Sequence, residues 1–560
     1  MTLSIYLLIY FLILFAVLGY GFFFNSILEL KKFNFDYGIL GLIGVLFIII
    51  YSYISHYLFI KHTILHNVIF LTLGFLFFIN FQIKNKKIED LKILTFFFII
   101  IFLGFILFKT HDDFSYYHFP YTYHLTQNSL MLGIGNFNHG FRTPSSIFYL
   151  NSIFYLPFVK YNFFHMGAIL FMGFAVTSLF SDLSKKIKKP DLDNVLIFKV
   201  LSFIFIMVFF YRIQEHGTDR SAQILILLVA SQLIDFRRNY EKLNFNKKII
   251  IILLLTSLII SLKAVYLIYV ILFLPIIYYL YLDKELKKLK IIFTNSFFYI
   301  FCATIVLIIL NYLFNTGCLI YPLADACLSN LDWSIHVDEV NRMSLHYEQW
   351  SKAGSGPGFT VENHTEYVMY FNWFDNWVEK YFFNKVSDFL LGLLFLCALV
   401  FFTFHSKIKN DHKFKDTNLI YVFYIILAFE WFYNHPSLRY GGYCLLAILF
   451  FLPLSNFLDK FKQNYLLKKK IYTLIIIAIL VFVGRNMNRL NNEHQVYKFD
   501  FLKNPQHRII EQNFRIDKKI NKLINKYQNC NYDPGLCDYS KGLIVKRIFG
   551  IYSFSKNKKK

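Results

Sequence analysis

The sequence predicts an all-α, polytopic helical membrane protein with about fourteen transmembrane helices. Three observations predict it. The 560 residues are 56% hydrophobic and 20% aromatic, more apolar than a soluble core of this size needs. Phe, Ile, Leu and Tyr come in long runs such as 93–109 (ILTFFFIIIFLGFILFK), close to the roughly 20 apolar residues that cross a bilayer. Lys and Arg gather in alternate short loops between those runs, the pattern of loops retained on the cytoplasmic side.

In chain order, spans are expected near 3–24, 38–60, 65–83 and 93–109, then 163–181, 195–212, 221–235, 248–262, 265–282 and 291–313, and finally 386–405, 418–434, 443–458 and 471–485. The first lacks a basic start and a small-residue cleavage site before residue 25, so a retained helix is expected rather than a signal peptide. The chain then divides into N-terminal helices (1–92), a membrane core (93–313) with a first large loop at 110–162, and a second large loop at 314–385. C-terminal helices (386–485) and a tail (486–560) follow. In the tail, Ile509, Ile510, Phe514, Ile516, Ile520, Leu523 and Ile524 recur at helical spacing and predict an amphipathic helix over 503–527.

The net charge of +23 is a topology signal, because the basic residues sit in loops at 84–92, 185–189, 237–248, 284–290, 407–415 and 460–470. A nucleic-acid surface would gather them on one domain, so no nucleic-acid partner is expected. With those loops cytoplasmic, both termini and the segments 110–162, 213–220, 314–385 and 435–442 share the other face. Cysteines agree: Cys318 and Cys327 share the long loop, and Cys530 and Cys537 share the tail. Two disulfides in an oxidising compartment are expected, chance proximity being the alternative.

Unusual polar clusters all fall on that same face. The run from His111 to Pro120 opens with Asp112 and Asp113 directly past a span, followed by Tyr116, Tyr117 and His118. Carboxylates at a dry boundary suit a general base or a divalent cation such as Mg or Mn, and Asp112, nearer the span, is expected to be the more desolvated. His139 and Arg142 follow in the same loop, and Asp219 and Arg220 begin a helix after the short charged loop 213–220. Lys263 stands alone between two spans, and Arg439 with Tyr440 lies at the exit of a late one. The acidic run, Asp219 with Arg220, Lys263 and Arg439 each have a plain structural alternative: an aromatic belt, a helix cap, a snorkelling lysine and an interfacial arginine.

Together these residues resemble the GT-C superfamily of integral-membrane glycosyltransferases, which use polyprenyl-phosphate-linked sugars. The resemblance runs through Asp112-Asp113, Tyr116-Tyr117-His118, Gly133, Arg142-Thr143-Pro144, Tyr149-Leu150 and Pro157. Asp219-Arg220 and Arg439-Tyr440 continue it, so that it covers roughly 93–460. The chain is also similar to membrane proteins of bacterial surface-polysaccharide loci. In typical members the acidic loop follows the first span, whereas here it follows the fourth, and a compact trailing domain is replaced by the tail. The resemblance implies catalytic roles for Asp112, Asp113 and His118, with any metal on the two aspartates. It implies substrate contacts from Tyr116, Tyr117, His139, Arg142, Asp219, Arg220, Lys263, Arg439 and Tyr440. The implied partners are a polyprenyl-phosphate sugar, a glycan, lipid or protein acceptor, and membrane lipids, at the periplasmic face of a bacterial inner membrane. Two other readings stand beside it: a surface-polysaccharide polymerase or ligase with key residues in 314–385, and a non-enzymatic lipid or polysaccharide flippase.

Overall fold

A computed structural model describes residues 2–85, 87–187, 193–238, 242–356, 359–406, 408, 416–461, 466–510, 516–532 and 542–556. The basic positions at 188–189, 407, 409–415 and 462 lie outside them, as do Phe514 and Cys537.

The chain is overwhelmingly helical and membrane-embedded. Among the described residues eight helices are long and apolar enough to cross a membrane, and Asn194–Phe209 and Gly442–Leu458 are shorter apolar helices. The first three, α1 (Leu3–Ile27), α2 (Tyr37–Tyr57) and α3 (Ile64–Asn85), pack closely because small residues let backbones approach. A Cβ at Gly19 would lie 1.9 Å from the Gly74 carbonyl, so α1 and α3 meet only through glycine. After α4 (Ile88–Phe105) the first large loop forms α5 (Phe119–Gln127) and α6 (Ser146–Ser152). The chain returns through α7 (Met166–Lys186), α8 (Asn194–Phe209), α9 (Asp219–Arg238) and α10 (Lys242–Leu262). These helices are buried along most of their length, as at a bundle centre, and 94% of the Tyr161–Lys186 window is buried.

The expected span 265–282 takes an unusual form. Residues Ala264–Phe273 are a 3-10 helix that passes into α11 (Leu274–Leu282). A 3-10 helix rises about 2.0 Å per residue against about 1.5 Å for an α-helix, so the segment reaches about 33 Å, a bilayer's thickness, with few residues. Next come α12 (Ser296–Thr316), α13 (Val337–Ser351) in the second loop, and α14 (Ser387–Phe404), which continues a π-helical stretch Val378–Val386. Leu391, Phe395 and Phe402 on α14 are 66–79% exposed, a lipid-facing surface rather than a water-facing one.

The bundle closes with α15 (Asn418–Asn434), α16 (Gly442–Leu458) and α17 (Leu467–Tyr497). At 31 residues α17 extends about 46 Å, so it overshoots a bilayer where the sequence places a span only over 471–485. The tail departs further. Its helix is α18, Ile516–Tyr532, whereas Ile509 and Ile510 lie in non-helical chain that runs beneath the first loop. The tail then adds antiparallel strands β3 (Leu543–Ile548) and β4 (Ile551–Lys556), after a small pair, β1 (Ser355–Gly356) and β2 (Phe359–Thr360), in the second loop. An all-α expectation misses both hairpins.

The two ends of the bundle differ. One carries the basic loops, tied inward by Lys186 to Asp193 (3.1 Å), Lys199 to Asp182 (2.6 Å) and Arg238 to Asp459 (2.5 Å). The other carries both large loops and the tail, cross-linked to one another. Leu132 N–H donates to Tyr552 O and Phe554 N–H to Leu132 O, each at 2.9 Å, so the tail hairpin is stitched to the first loop. Glu339 of the second loop joins them, accepting from Arg142 Nη2 (2.5 Å) and Lys556 Nζ (3.0 Å). A disulfide links Cys318 to Cys327 just past α12. The pairing of Cys530 with Cys537 lies outside the described residues.

Candidate functional site

Four segments far apart in the sequence meet at the loop-bearing end in one ionic network. Its centre is Arg439, in the 3-10 turn Leu438–Tyr440 between α15 and α16. The guanidinium Nε donates to Asp219 Oδ2 (2.7 Å) and its Nη2 donates to Asp113 Oδ2. Lys263 Nζ donates to the other Asp219 oxygen at 2.8 Å. Two carboxylates and two cations therefore neutralise one another.

Local structure places each member. Asp113 directly precedes a π-helical turn, Phe114–His118, a widened geometry that recurs at functional sites. The chain leading to it is pinned by Glu493 of α17, which accepts from Phe108 N–H (2.8 Å) and Lys109 N–H (3.3 Å). Asp219 is the first residue of α9, where helix N–H groups favour a negative charge. Lys263 fills the junction between α10 and the 3-10 segment. Gln223 donates to the Arg439 carbonyl (2.9 Å), and Gly441, at φ 121°, turns the chain into α16.

Burial opposes ionisation of both aspartates, but the neighbouring cations outweigh it. Asp219 is held far below the ordinary carboxylate range by Lys263 and Arg439, and Asp113 is held below it by Arg439. His118 behaves oppositely. Desolvation pushes it down to about 3, so it is neutral at pH 7. Its Nε2 is buried and has no hydrogen-bond partner among the described residues. Gly217, at φ 50°, makes room for that ring: a Cβ there would lie 2.9 Å from His118 Cε1.

Two cavities flank the network and share a wall of Asp113, Arg439 and Trp350. The larger, about 850 Å³, is lined by Asp112, His118, Glu215, Asp219 and Arg220, and by Lys380 and Lys385 from the second π-helical stretch. Glu215 pairs with Arg220 (3.6 Å), whereas among the described residues neither Lys380 nor Lys385 is paired with a carboxylate. The smaller, about 370 Å³, is lined by Tyr116, Tyr117, His139, Lys263, Tyr347 and Tyr440 among others.

Of the aspartate pair, Asp113 is the one in the network. Asp112 is exposed on the larger cavity's wall, contrary to the expectation that it is the more desolvated. His118 and Arg220 join Asp113 there, and Tyr116, Tyr117, His139, Lys263 and Tyr440 gather in the smaller cavity. Arg142 lies at neither: it is buried against Glu339 and the Gly135 carbonyl (2.9 Å), where it clamps the two loops together. Sequence reasoning missed Trp350, Tyr347, Lys380 and Lys385. The last two carried a signal, being lysines in a segment that the charge bias places away from the basic face. Asp113 is already engaged by a guanidinium, and among the described residues no group of three His, Cys, Asp or Glu side chains could hold a metal ion.

No curated protein and no solved structure matches the chain. Residues 3–446 match the family described as "Domain of unknown function (DUF8201)". The match takes in Asp113, Asp219, Lys263 and Arg439 and well over half the sequence, and the chain belongs to that family.

Proposed function

We propose that this protein is a GT-C-like glycosyltransferase of the bacterial inner membrane. It moves a sugar from a polyprenyl-phosphate donor to a glycan, lipid or protein acceptor at the periplasmic face, in the building of surface polysaccharide. On this reading the remaining bundle helices also cross the membrane, giving about fourteen spans. One observation carries the proposal: a carboxylate, Asp113, stands in the wall between two cavities, held by a guanidinium that a phosphate can claim.

The donor's phosphate occupies the larger cavity, where Lys380 and Lys385 meet it and Arg439 offers its planar fork. Charge grows on that phosphate as the glycosidic bond breaks, and preorganised cations stabilise it most at that moment. Once the phosphate draws on Arg439, the influence that holds down Asp113 weakens. Its carboxylate then accepts the proton of the acceptor hydroxyl as the hydroxyl oxygen attacks the anomeric carbon. His118, neutral and with an open ring nitrogen, orients donor or water beside it.

The polymerase or ligase reading uses the same site. It is favoured by the share of both cavity walls that the second loop supplies, through Trp350, Tyr347 and Lys380. A flippase is disfavoured, because apart from Glu430 the charged groups gather at the bundle's ends rather than along a path. The test is sugar transfer or release from radiolabelled polyprenyl-phosphate hexoses by the protein in nanodiscs. Turnover that disappears in Asp113→Asn supports the proposal, and undiminished turnover in that variant refutes it.

A further inference from the structure

We infer that the smaller cavity is a binding site for an uncharged saccharide, and that its walls reject acidic sugars. The inference deepens the proposed transfer by naming the acceptor's chemistry, but the binding site stands on its own observations.

The first observation is charge. The cavity's fixed ions are Asp113, Lys263 and Arg439, and with Asp219 behind them they form two carboxylates against two cations. Both cations on this wall are already paired with carboxylates, and Lys380 and Lys385, unpaired with a carboxylate among the described residues, line only the larger cavity, so a carboxylate or sulfate ligand would have to break an existing pair. Burial holds His139 and His435 down to about 4, so both present neutral rings at pH 7.

The second observation is the wall chemistry. Tyr117, Tyr312, Tyr321, Tyr347, Tyr440 and Trp350 surround the space. Trp350 and Tyr440 stand at 66° to each other, ring centres 6.1 Å apart, and form a corner rather than a closed stack. Lys263 lies 4.2 Å from the Tyr440 ring centre and fixes that ring. Aromatic faces take up the C–H face of a pyranose, while phenol, imidazole and hydroxyl groups meet its OH groups. Such groups are present: Tyr347 Oη and His139 Nε2 are hydrogen-bonded at 3.1 Å, with Thr143 and Ser344 on the same wall. Every Phe, Tyr or Trp position on this wall except Trp350 is a tyrosine, so nearly every aromatic face comes with a hydroxyl.

The third observation is size and address. About 370 Å³ lies at the small end of ligand cavities, which run from roughly 300 to 1,000 Å³, and suits one or two sugar rings. Its inner wall is Asp113, so a saccharide seated there presents a hydroxyl to the carboxylate that also faces the larger cavity.

Saturation-transfer NMR on the full chain in nanodiscs tests this, with methyl gluco-, galacto-, manno- and N-acetylglucosaminides as probes and the matching methyl hexuronides as controls. At least one neutral hexoside is expected to receive saturation at its ring protons, and the hexuronides at least tenfold less. Ser344→Trp, which fills the cavity from α13, is expected to abolish the signal without lowering the melting temperature. Tyr347→Phe keeps the stacking face and is expected to weaken binding several-fold. The inference is overturned if hexuronides bind as well as hexosides, if no neutral hexoside binds, or if Ser344→Trp binds normally. Neutral sugar binding without any transfer from polyprenyl-phosphate hexoses leaves the inference standing and removes the glycosyltransferase reading instead.

Discussion

Asp112 and Asp113 are chain neighbours with different surroundings, and the difference predicts different mutants. Asp113→Asn removes the proposed base and is expected to cost about 10²- to 10⁴-fold in turnover. Asp112→Asn, on the open cavity wall, is expected to stay within a few-fold of the parent in the same nanodisc assay. Arg439→Ala strands the buried Asp219 beside Lys263 alone, a loss of about 3–5 kcal/mol for a broken buried pair, readable as a fall in melting temperature. Arg439→Lys is expected to recover only part, because an ammonium cannot reproduce the fork that serves both carboxylates. The pH dependence follows in sign. Arg439 lowers the Asp113 pKa of the free protein, so the parent should keep its kcat/KM as pH falls until below about pH 4, the ordinary carboxylate value. Arg439→Gln leaves desolvation unopposed and is expected to move that acid limb upward; an unmoved limb would detach Arg439 from Asp113. Sequence alone could see that these residues were odd for their positions. It could not rank the two aspartates, since their exposure depends on how the chain enters the π-helical turn that follows them.

Long apolar helices were legible because hydropathy is additive along a segment, whereas the pieces that shape the site are short and set by tertiary contact. The hairpin β3–β4 is one such piece. It carries Lys and Arg on its exposed positions and closes against Leu132 and Gly133, partners more than 400 residues earlier that no local pattern announces. Gly133 is where this can be tested. It sits at φ 66°, and a Cβ on it would come within 2.2 Å of the Phe554 carbonyl. Gly133→Ala is therefore expected to lift the hairpin off the first loop, seen as faster proteolysis within 542–556, while the bundle helices stay intact. A second element test concerns Gly217, whose missing side chain makes room for the His118 ring. Gly217→Ala is expected to displace that ring and to lower turnover by up to about 100-fold with little change in donor binding, because small misplacements near reacting atoms are costly. The Cys318–Cys327 disulfide was legible from spacing, and as a nine-residue closure it should contribute at most about 3 kcal/mol. Cys318→Ser is then expected to lower the melting temperature yet leave the loop folded.

At the scale of the molecule, the two ends of the bundle are chemically opposed, and that opposition predicts how the protein sits in a membrane. Lys-rich loops mark one end, and short basic loops stay cytoplasmic. The other end gathers the first loop, the second loop and the tail into one body, through Leu132 with β4, Glu339 with Arg142 and Lys556, and His507 against His165, ring centres 4.7 Å apart. Charge counting alone left the tail ambiguous, because long segments obey the positive-inside bias poorly and its last residues are basic. Contacts agree with the face expected for the termini: a hairpin bonded to the first loop must share that loop's side, whatever its own charge. Single cysteines at the exposed positions Lys160, Asp338 and Phe549, in a background without other free thiols, are accordingly expected to react with a membrane-impermeant maleimide added to intact spheroplasts. Cysteines at Lys84 and Lys287 are expected to react only after the membrane is opened. Labelling that separated the first three from one another would break the shared face on which both cavities depend. Labelling that placed all three with Lys84 would leave the cavities intact but turn the site toward the cytoplasm, where polyprenyl-phosphate chemistry of the proposed kind would have to be abandoned.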